Sequence, residues 1–316
     1  MALSEFDLIR RYFAPFKTSA SVVTGIGDDC AVLSLSPGYE LCTSIDTLVE
    51  DVHFPAQTDP QGLGWRCLAA AVSDLAACGA KPLGFCLAIT LPAVDEPWLA
   101  SFANGLASAA DHFNIPLVGG DTTRGPLTLS LQVFGEVASG AALLRSAAQA
   151  GDQVWITGCL GDARAALDFI DQAAAGNVFY DSYYYPQPPV QFAPSLIGLA
   201  HAAIDISDGL LADLGHILTA SAVGADIQLD DIPLSAALRG GYPLKQAQTY
   251  ALTGGDDYQL CFTAPPRLTG TLRALAQEQG IALTSVGSIS EWRGLRCLSA
   301  AGEPLTFDQP GYRHFS

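Results

Sequence analysis

The sequence is short of positive charge, and of lysine above all. Against 32 acidic residues stand 15 lysines and arginines, giving a net charge of −17, and the lysines are Lys17, Lys81 and Lys245 alone. Such a balance argues against a nucleic-acid or anionic-membrane partner, whose phosphates are met by clustered Lys and Arg. No Gly-x-x-x-x-Gly-Lys-Ser/Thr occurs, so phosphate cannot be held by a lysine-bearing P-loop. The glycine loop, His-Arg-Asp and Asp-Phe-Gly segments of protein kinases are missing as well. Neither a Gly-x-Gly-x-x-Gly opening a helix nor a Gly-x-Ser-x-Gly elbow is present, which disfavours dinucleotide-dependent redox chemistry and serine hydrolysis.

Sulfur and nitrogen metal sites are also lacking. The cysteines at 30, 42, 67, 78, 86, 159, 261 and 297 form no Cys-x-x-Cys pair, and most lie in apolar runs such as Gly84-Phe85-Cys86-Leu87-Ala88. They read as buried thiols, ahead of zinc ligands or a disulfide framework. The five histidines give no His-x-x-x-His pair. No apolar run approaches the ~20 residues that span a bilayer. The start, Met-Ala-Leu-Ser-Glu-Phe-Asp, has no basic segment leading into an apolar one, so a cytoplasmic location is expected.

What is present is a globular composition, with 49% hydrophobic residues in 316, enough for two cores. In the first half, Ser4 is placed to cap a short helix carrying Phe6, Ile9 and Phe13 on one face. A strand over Leu41–Ile45, a helix over about 60–78, a strand over Leu83–Leu91 and a helix over about 96–113 follow. Strands are then expected at Ile115–Val118 and Leu127–Val137. A turn-rich break at 145–151 divides the chain into domains 1–147 and 148–316. Beyond it come strands at 153–157, 225–229, 259–263 and 283–289, with helices between them, one starting near Asp162. The Tyr- and Pro-rich stretch 177–189 is expected to be an irregular surface loop. The fold class is α+β in two domains.

The strongest signal is Asp beside Gly, Ser or Thr at the end of an apolar stretch. It recurs as Gly25-Ile-Gly-Asp-Asp29, Ser44-Ile-Asp-Thr47, Val72-Ser-Asp74, Val118-Gly-Gly-Asp-Thr122, Ile204-Asp-Ile-Ser-Asp-Gly209 and Thr253-Gly-Gly-Asp-Asp257. Each alone is an ordinary turn or cap. Together they suggest carboxylates brought close, which resist ionising unless a cation balances them. Oxygen donors without Cys or His suit Mg²⁺ or Mn²⁺ before zinc. Several Mg²⁺ ions would let an acidic protein hold a nucleoside triphosphate, helped by Arg124, Arg145 or the helix N-terminus after Ser207.

These blocks also carry a resemblance. Gly25-Ile-Gly-Asp-Asp-Cys-Ala31, Asp46-Thr-Leu-Val-Glu-Asp-Val-His-Phe54, Val72-Ser-Asp-Leu-Ala-Ala-Cys-Gly-Ala-Lys-Pro82 and Gly119-Gly-Asp-Thr122 resemble the thiamine-monophosphate kinase family. Asp205-Ile-Ser-Asp-Gly-Leu210, Gly254-Gly-Asp-Asp-Tyr258 and Gly311-Tyr-Arg-His-Phe315 continue it in the family's order. The Asp-x-x-Val-Glu-x-x-His-Phe block discriminates. The others fit the wider superfamily of aminoimidazole ribonucleotide synthetase and selenophosphate synthetase.

The resemblance implies an aminoimidazole ribonucleotide synthetase-like fold. Its N-terminal domain holds a mixed sheet with helices, pairs in a homodimer and binds ATP and Mg²⁺. Its C-terminal α/β domain completes the site. The implied reaction moves the ATP γ-phosphate to thiamine monophosphate. The implied magnesium ligands are Asp29, Ser44, Asp46, Asp74, Asp121, Asp205 and Asp208, with Ile45 offering only its backbone carbonyl. Gly120, Asp121, Arg145 and Ser207 are implied nucleotide contacts, and His53, Asp256 and Tyr312 contacts to the acceptor. The sequence departs from the family at Ile45 (usually Thr), at Asp256 (usually Glu) and in the 183–189 loop. Competing readings are an ATP-dependent ligase or cyclase acting on a ribonucleotide amide, and a non-catalytic acidic protein that binds divalent ions. Asp162 and Asp213 read as a helix cap and a solvated helix face.

Overall fold

A computed structural model describes residues 5–170, 176–305, 307 and 311. The chain forms two compact units, Met1–Leu75 with Ala80–Gly140 and Ala76–Gly79 with Ala141–Ser316.

The first unit opens with helix α1 (Glu5–Leu8), which widens into a π-helical turn over Ile9–Phe13 that buries Tyr12 and Phe13. The proposed Ser4 cap lies outside the described residues. Strands β1 (Val22–Thr24) and β2 (Val32–Leu33) make a small antiparallel ribbon. The main sheet contains β3 (Tyr39–Val49), β4 (Lys81–Leu91), β5 (Leu117–Arg124) and β6 (Thr128–Ala138), in the order β3-β6-β4-β5. It is mixed: β6 lies antiparallel between β3 and β4, and β5 joins β4 in parallel.

Helices α2 (Pro60–Ala77) and α3 (Glu96–Phe113) supply the apolar layer of this unit. Asp59 accepts from the Gly62 N–H at 2.8 Å and Asp95 from the Trp98 N–H at 3.2 Å, satisfying donors that helix starts leave open. The helices meet closely because both carry glycine at the crossing. A Cβ on Gly105 would lie 1.9 Å from the Gln61 carbonyl oxygen. Leu68, Val72, Leu75, Phe102, Leu106, Phe85, Ile89, Leu131 and Val133 are fully or almost fully buried. Tyr39, Leu41 and Ile45, on the alternate face of β3, stay 43%, 50% and 63% exposed.

The second unit is a seven-stranded sheet built from β7 (Gln153–Thr157), β8 (Ala202–Ile206), β9 (Gly224–Gln228), β10 (Gln259–Ala264), β11 (Leu283–Ser290), β12 (Gly294–Leu298) and β13 (Pro304–Leu305). Its order is β13-β12-β9-β11-β7-β10-β8, antiparallel except for the β12/β9 pair. Among the described residues six α-helices accompany it: α4 (Asp162–Ala166), α5 (Val178–Tyr184), α6 (Leu210–Ser221), α7 (Ala236–Gly241), α8 (Leu244–Thr253) and α9 (Thr269–Glu278).

Three expectations change. The stretch 177–189 is not irregular throughout. Asn177 accepts from the N–H groups of Phe179 and Tyr180 and starts α5, which buries Phe179, Tyr183 and Tyr184. The strand expected to stop at Val118 continues to Arg124, because its parallel ladder with β4 runs through Asp121. Several aspartates expected at the ends of apolar stretches stand inside strands instead, Asp46 within β3, Asp121 within β5 and Asp205 within β8, whereas Asp74 lies in α2, the helix expected over about 60–78.

Candidate functional site

Alternation along β3 puts Ser44 and Asp46 on one face and the Ile45 side chain on the other. The Ser44 hydroxyl donates to Asp74 Oδ2 at 2.5 Å, so this face looks onto the C-terminal half of α2. Burial, and then repulsion from Asp74, push the Asp46 carboxyl up to about 6. A hydroxyl and two mutually repelling carboxylates, with no sulfur or nitrogen donor, fit a hard divalent cation, which would relieve that repulsion. Among the described residues, no three His, Cys, Asp or Glu side chains come together as a closed metal cluster. Any cation here would therefore keep positions for oxygens of water or substrate.

Asp29 and Asp121 meet elsewhere in the same unit. With Asp28, Gly119 and Gly120 they line a cleft of about 920 Å³ whose other walls include Phe13, Ile26, Leu87, Val118 and Phe134. The Asp29 N–H donates to Asp28 Oδ1 at 2.8 Å, and the Thr122 N–H to Asp121 Oδ1 at 3.0 Å. In each case the next backbone N–H braces one carboxylate oxygen. Gly120 brings the backbone close to β4: a Cβ there would sit 1.9 Å from the Leu87 carbonyl oxygen. The lining combines apolar side chains with acidic ones, which suits a flat heterocycle joined to a metal-bound phosphate chain.

His53 lies in the turn after β3. Its Nδ1 accepts the Val49 N–H at 3.0 Å, and the His53 backbone N–H donates to the Val49 carbonyl at 2.9 Å. An accepting Nδ1 leaves the proton of the neutral ring on Nε2, so that nitrogen is a donor.

In the second unit, Asp205 is buried at the end of β8, and Ser207 and Asp208 follow in a half-buried turn. Sequence reasoning treated Asp213 as a solvated face of α6; it is 3% exposed. Its Oδ2 accepts the N–H groups of Ser207, Asp208 and Gly209, each at 3.1 Å. The helix N-terminus offered for phosphate is therefore already filled by a carboxylate of its own helix. Burial, then repulsion from Asp205 and Asp208, push Asp213 up to about 7.

The Gly254-Gly255-Asp256-Asp257 turn divides its two acids. Asp256, at φ +70°, donates its N–H to the Ser207 carbonyl at 2.9 Å, and its Oδ1 accepts the Tyr258 hydroxyl at 3.0 Å. Asp257 is buried, and both its oxygens lie 3.0 Å from the Gly161 N–H. Burial holds its carboxyl well above the ordinary range, with Asp162 and Asp256 pushing the same way. Asp162 is no cap: Gly161 holds that position, and Asp162 is buried and accepts the Ser235 hydroxyl at 2.7 Å. Arg145 is exposed on a short 3₁₀ turn whose carbonyl accepts the Ser221 hydroxyl at 2.8 Å. Tyr312 lies outside the described residues.

Sequence reasoning named Asp213 and Asp257 without seeing that both turn back to hold backbone N–H groups. The available signal was position: Asp213 is an acid inside the apolar segment 210–218, next to a glycine-bearing turn whose N–H groups need an acceptor, while Asp257 had only its place beside Gly254-Gly255.

Two family models match, the N-terminal domain of AIR synthase related proteins over residues 27–137 and the C-terminal domain over residues 149–297. The thiamine-monophosphate kinase of Salmonella typhimurium is 42% identical over all of this chain and 99% of its own length. The crystal structure of thiamine-monophosphate kinase from Stenotrophomonas maltophilia superposes with a TM-score of 0.85 at 42% identity, covering 90% of this chain and 93% of that one. The structure of AaThiL complexed with AMPPCP and TMP matches at 27% identity and a TM-score of 0.77, covering 89% of both chains. With both domains matched and homology running the full length, this chain belongs to the thiamine-monophosphate kinase family of AIR synthase related proteins.

Proposed function

We propose that this protein is an ATP:thiamine-phosphate phosphotransferase that converts thiamine monophosphate to thiamine diphosphate. Its full-length likeness to thiamine-monophosphate kinases, one of them solved with AMPPCP and TMP, supports the reaction. The observation that carries the chemistry is the facing pair Asp46 and Asp74, with Ser44 between strand and helix.

In this reading Ser44, Asp46, Asp74, Asp29 and Asp121 of domain 1–147, the Ile45 carbonyl, and Asp205 and Asp208 of domain 148–316 hold magnesium. Bound there, Mg²⁺ would neutralise the charge of the triphosphate and of the transferring phosphoryl group. The cleft lined by Gly120 and Asp121 receives the nucleotide, with Arg145 and Ser207 as further contacts. His53 donates from Nε2 to an acceptor on thiamine monophosphate. Asp256, oriented by Tyr258, offers negative charge to its cationic thiazolium, with Tyr312 as a third contact. The acceptor phosphate, with a second pKa of about 6, is already largely ionised near neutral pH, so in-line attack on the γ-phosphorus needs little general-base help. This agrees with a site rich in ligands and poor in paired acid–base groups.

The exposed apolar residues Tyr39, Leu41 and Ile45 on one face of β3 support a homodimer joined through this sheet. All eight cysteines are free thiols, in keeping with a cytoplasmic setting, and among the described residues no helix is long and apolar enough to cross a membrane. Phosphorus NMR of a reaction with MgATP and thiamine monophosphate tests the proposal. New diphosphate resonances with ADP and without free phosphate are expected. Free phosphate with ADP would favour the ligase or cyclase reading and overturn this one.

A further inference from the structure

The end of β8 and the turn 207–209 that follows carry three residues assigned above to metal and nucleotide, and whereas Asp205 and Ile206 are buried, Ser207 and Asp208 are only half-buried. Two things hold it. On one side the 256–258 segment binds its carbonyls: the Asp256 N–H reaches Ser207 at 2.9 Å and the Tyr258 N–H reaches Ile206 at 2.8 Å. On the other side a single oxygen, Asp213 Oδ2, gathers the successive N–H groups of Ser207, Asp208 and Gly209 at 3.1 Å each. Three adjacent N–H groups converging on one point form an anion-binding nest. Gly209 closes it at φ +115°, a conformation that side chains rarely adopt.

We infer that Asp213 is a positioning residue: its carboxylate plugs this nest and thereby fixes the directions in which Ser207 and Asp208 present their side chains. The inference rests on the kinase reading for what those side chains bind. An uncharged helix face would have stabilised α6 at lower cost, since Asp213 is buried near Asp205 and Asp208 and like charges so placed repel. What it supplies instead is geometry, from an acceptor held on the first turn of a rigid helix. A nest filled from within also leaves no vacancy for a phosphate, so an anion in the site must be met by other groups.

The test compares Asp213→Asn, Asp213→Glu and Asp213→Ala in the full-length protein. Asparagine keeps a carbonyl oxygen at the same reach, whereas glutamate keeps the charge but moves the oxygens by one methylene. A positioning role predicts Asn close to wild type, and Glu and Ala with the Mg²⁺ activation midpoint raised and kcat lowered by about tenfold each, the loss of roughly one well-made hydrogen bond to a loop. KM for thiamine monophosphate should move by less than about threefold, because that substrate is held elsewhere. A direct role as a charged ligand predicts the reverse order, Glu above Asn, and that order would overturn the inference.

Amide hydrogen exchange at Ser207, Asp208 and Gly209, followed without substrates, gives a readout independent of turnover. It should accelerate at least about tenfold in Glu and stay near wild type in Asn. Unchanged exchange in Glu would overturn the inference even if the protein is an active kinase. Failure of wild type to form thiamine diphosphate, with exchange behaving as stated, would instead overturn the kinase reading and leave the nest intact. Should Asp213→Ala fail to fold, the Asn/Glu order still decides.

Discussion

Ser44 and Asp74 are joined by a 2.5 Å hydrogen bond that ties the middle of the edge strand β3 to α2, where Asp46 is repelled by the same carboxylate. Replacing Asp46 by Asn removes that repulsion together with a proposed cation ligand. Turnover should fall at least about a hundredfold, as expected when charge neutralisation at a transferring phosphoryl group is lost. The melting temperature of the metal-free protein should stay level or rise. A folded Asp46→Asn variant with near-normal activity at saturating Mg²⁺ would remove the basis for the metal assignment.

The same residue gives a pH dependence with a definite sign. The Asp46 carboxyl holds its proton more tightly in the folded chain, at about 6, than in the unfolded one, at about 4. The folded state therefore binds more protons across that window, and stability falls as pH rises from about 4 through 6. Below the window the group is neutral in both states and contributes nothing. Above it the full cost is present, of order 3 kcal/mol as an upper limit. Thermal unfolding in chelator should thus show a drop between about pH 4.5 and 7.5 that is smaller by about 5 °C in Asp46→Asn. Saturating Mg²⁺ should shrink the wild-type drop, since a bound cation favours the ionised carboxylate. Equal drops in wild type and variant would assign the shift to other groups.

Much of this architecture is legible in sequence, for physical reasons that also explain the misses. Helix α2, strand β4 and helix α3 emerge from apolar periodicity because each buries a continuous face. Strand β5 is half hidden, because Gly119-Gly120-Asp121 reads as a turn while the ladder to β4 carries it on through Thr122. Helix α5 is obscured by its tyrosines and the following prolines, and only the Asn177 cap marks it. The candidate acids are visible one by one. What is not visible is which acid points outward and which turns back to hold backbone. Asp256 and Asp257 are adjacent in sequence, yet one meets a tyrosine hydroxyl and the other the buried N–H of Gly161.

His53 lends itself to a substitution that separates its two nitrogens. Asparagine places an acceptor near the Nδ1 position and should keep the bond from the Val49 N–H, while supplying nothing at Nε2. Steady-state kinetics of His53→Asn should show KM for thiamine monophosphate raised about tenfold, the worth of one hydrogen bond, with KM for MgATP unchanged. His53→Ala should add about 1 kcal/mol of destabilisation from the orphaned N–H. A change confined to the ATP constants would move His53 to the nucleotide side.

Asp257 makes a stability prediction of the opposite kind from Asp46. It accepts the Gly161 N–H in a buried place where charge is disfavoured. Asp257→Ala should cost about 2–3 kcal/mol by leaving that donor unsatisfied. Asp257→Asn, which retains the acceptor without the charge, should be at least as stable as wild type near neutral pH. Denaturant titration of the two variants decides, and an Asn variant as unstable as Ala would show that the charge itself is needed.

The open face of β3 yields the last test. Leu41 and Ile45 stand four residues apart on one strand and so share a face, each about half exposed or more, and neither carries charge to keep other copies away. A monomer seldom leaves apolar side chains grouped this way unless something covers them. If a second copy does, one glutamate at either position appears twice in the interface, buried without a cation to pair with it. The cost of desolvating each such charge, several kcal/mol, exceeds what most interfaces hold in reserve. Leu41→Glu and Ile45→Glu should therefore sediment as monomers at concentrations where wild type sediments as a dimer, and Ile45→Glu is the cleaner variant because Leu41 also lines the cleft proposed for the nucleotide. The core beneath should be untouched, because both side chains project away from α2. Equal sedimentation of wild type and both variants would exclude this sheet face from any self-association.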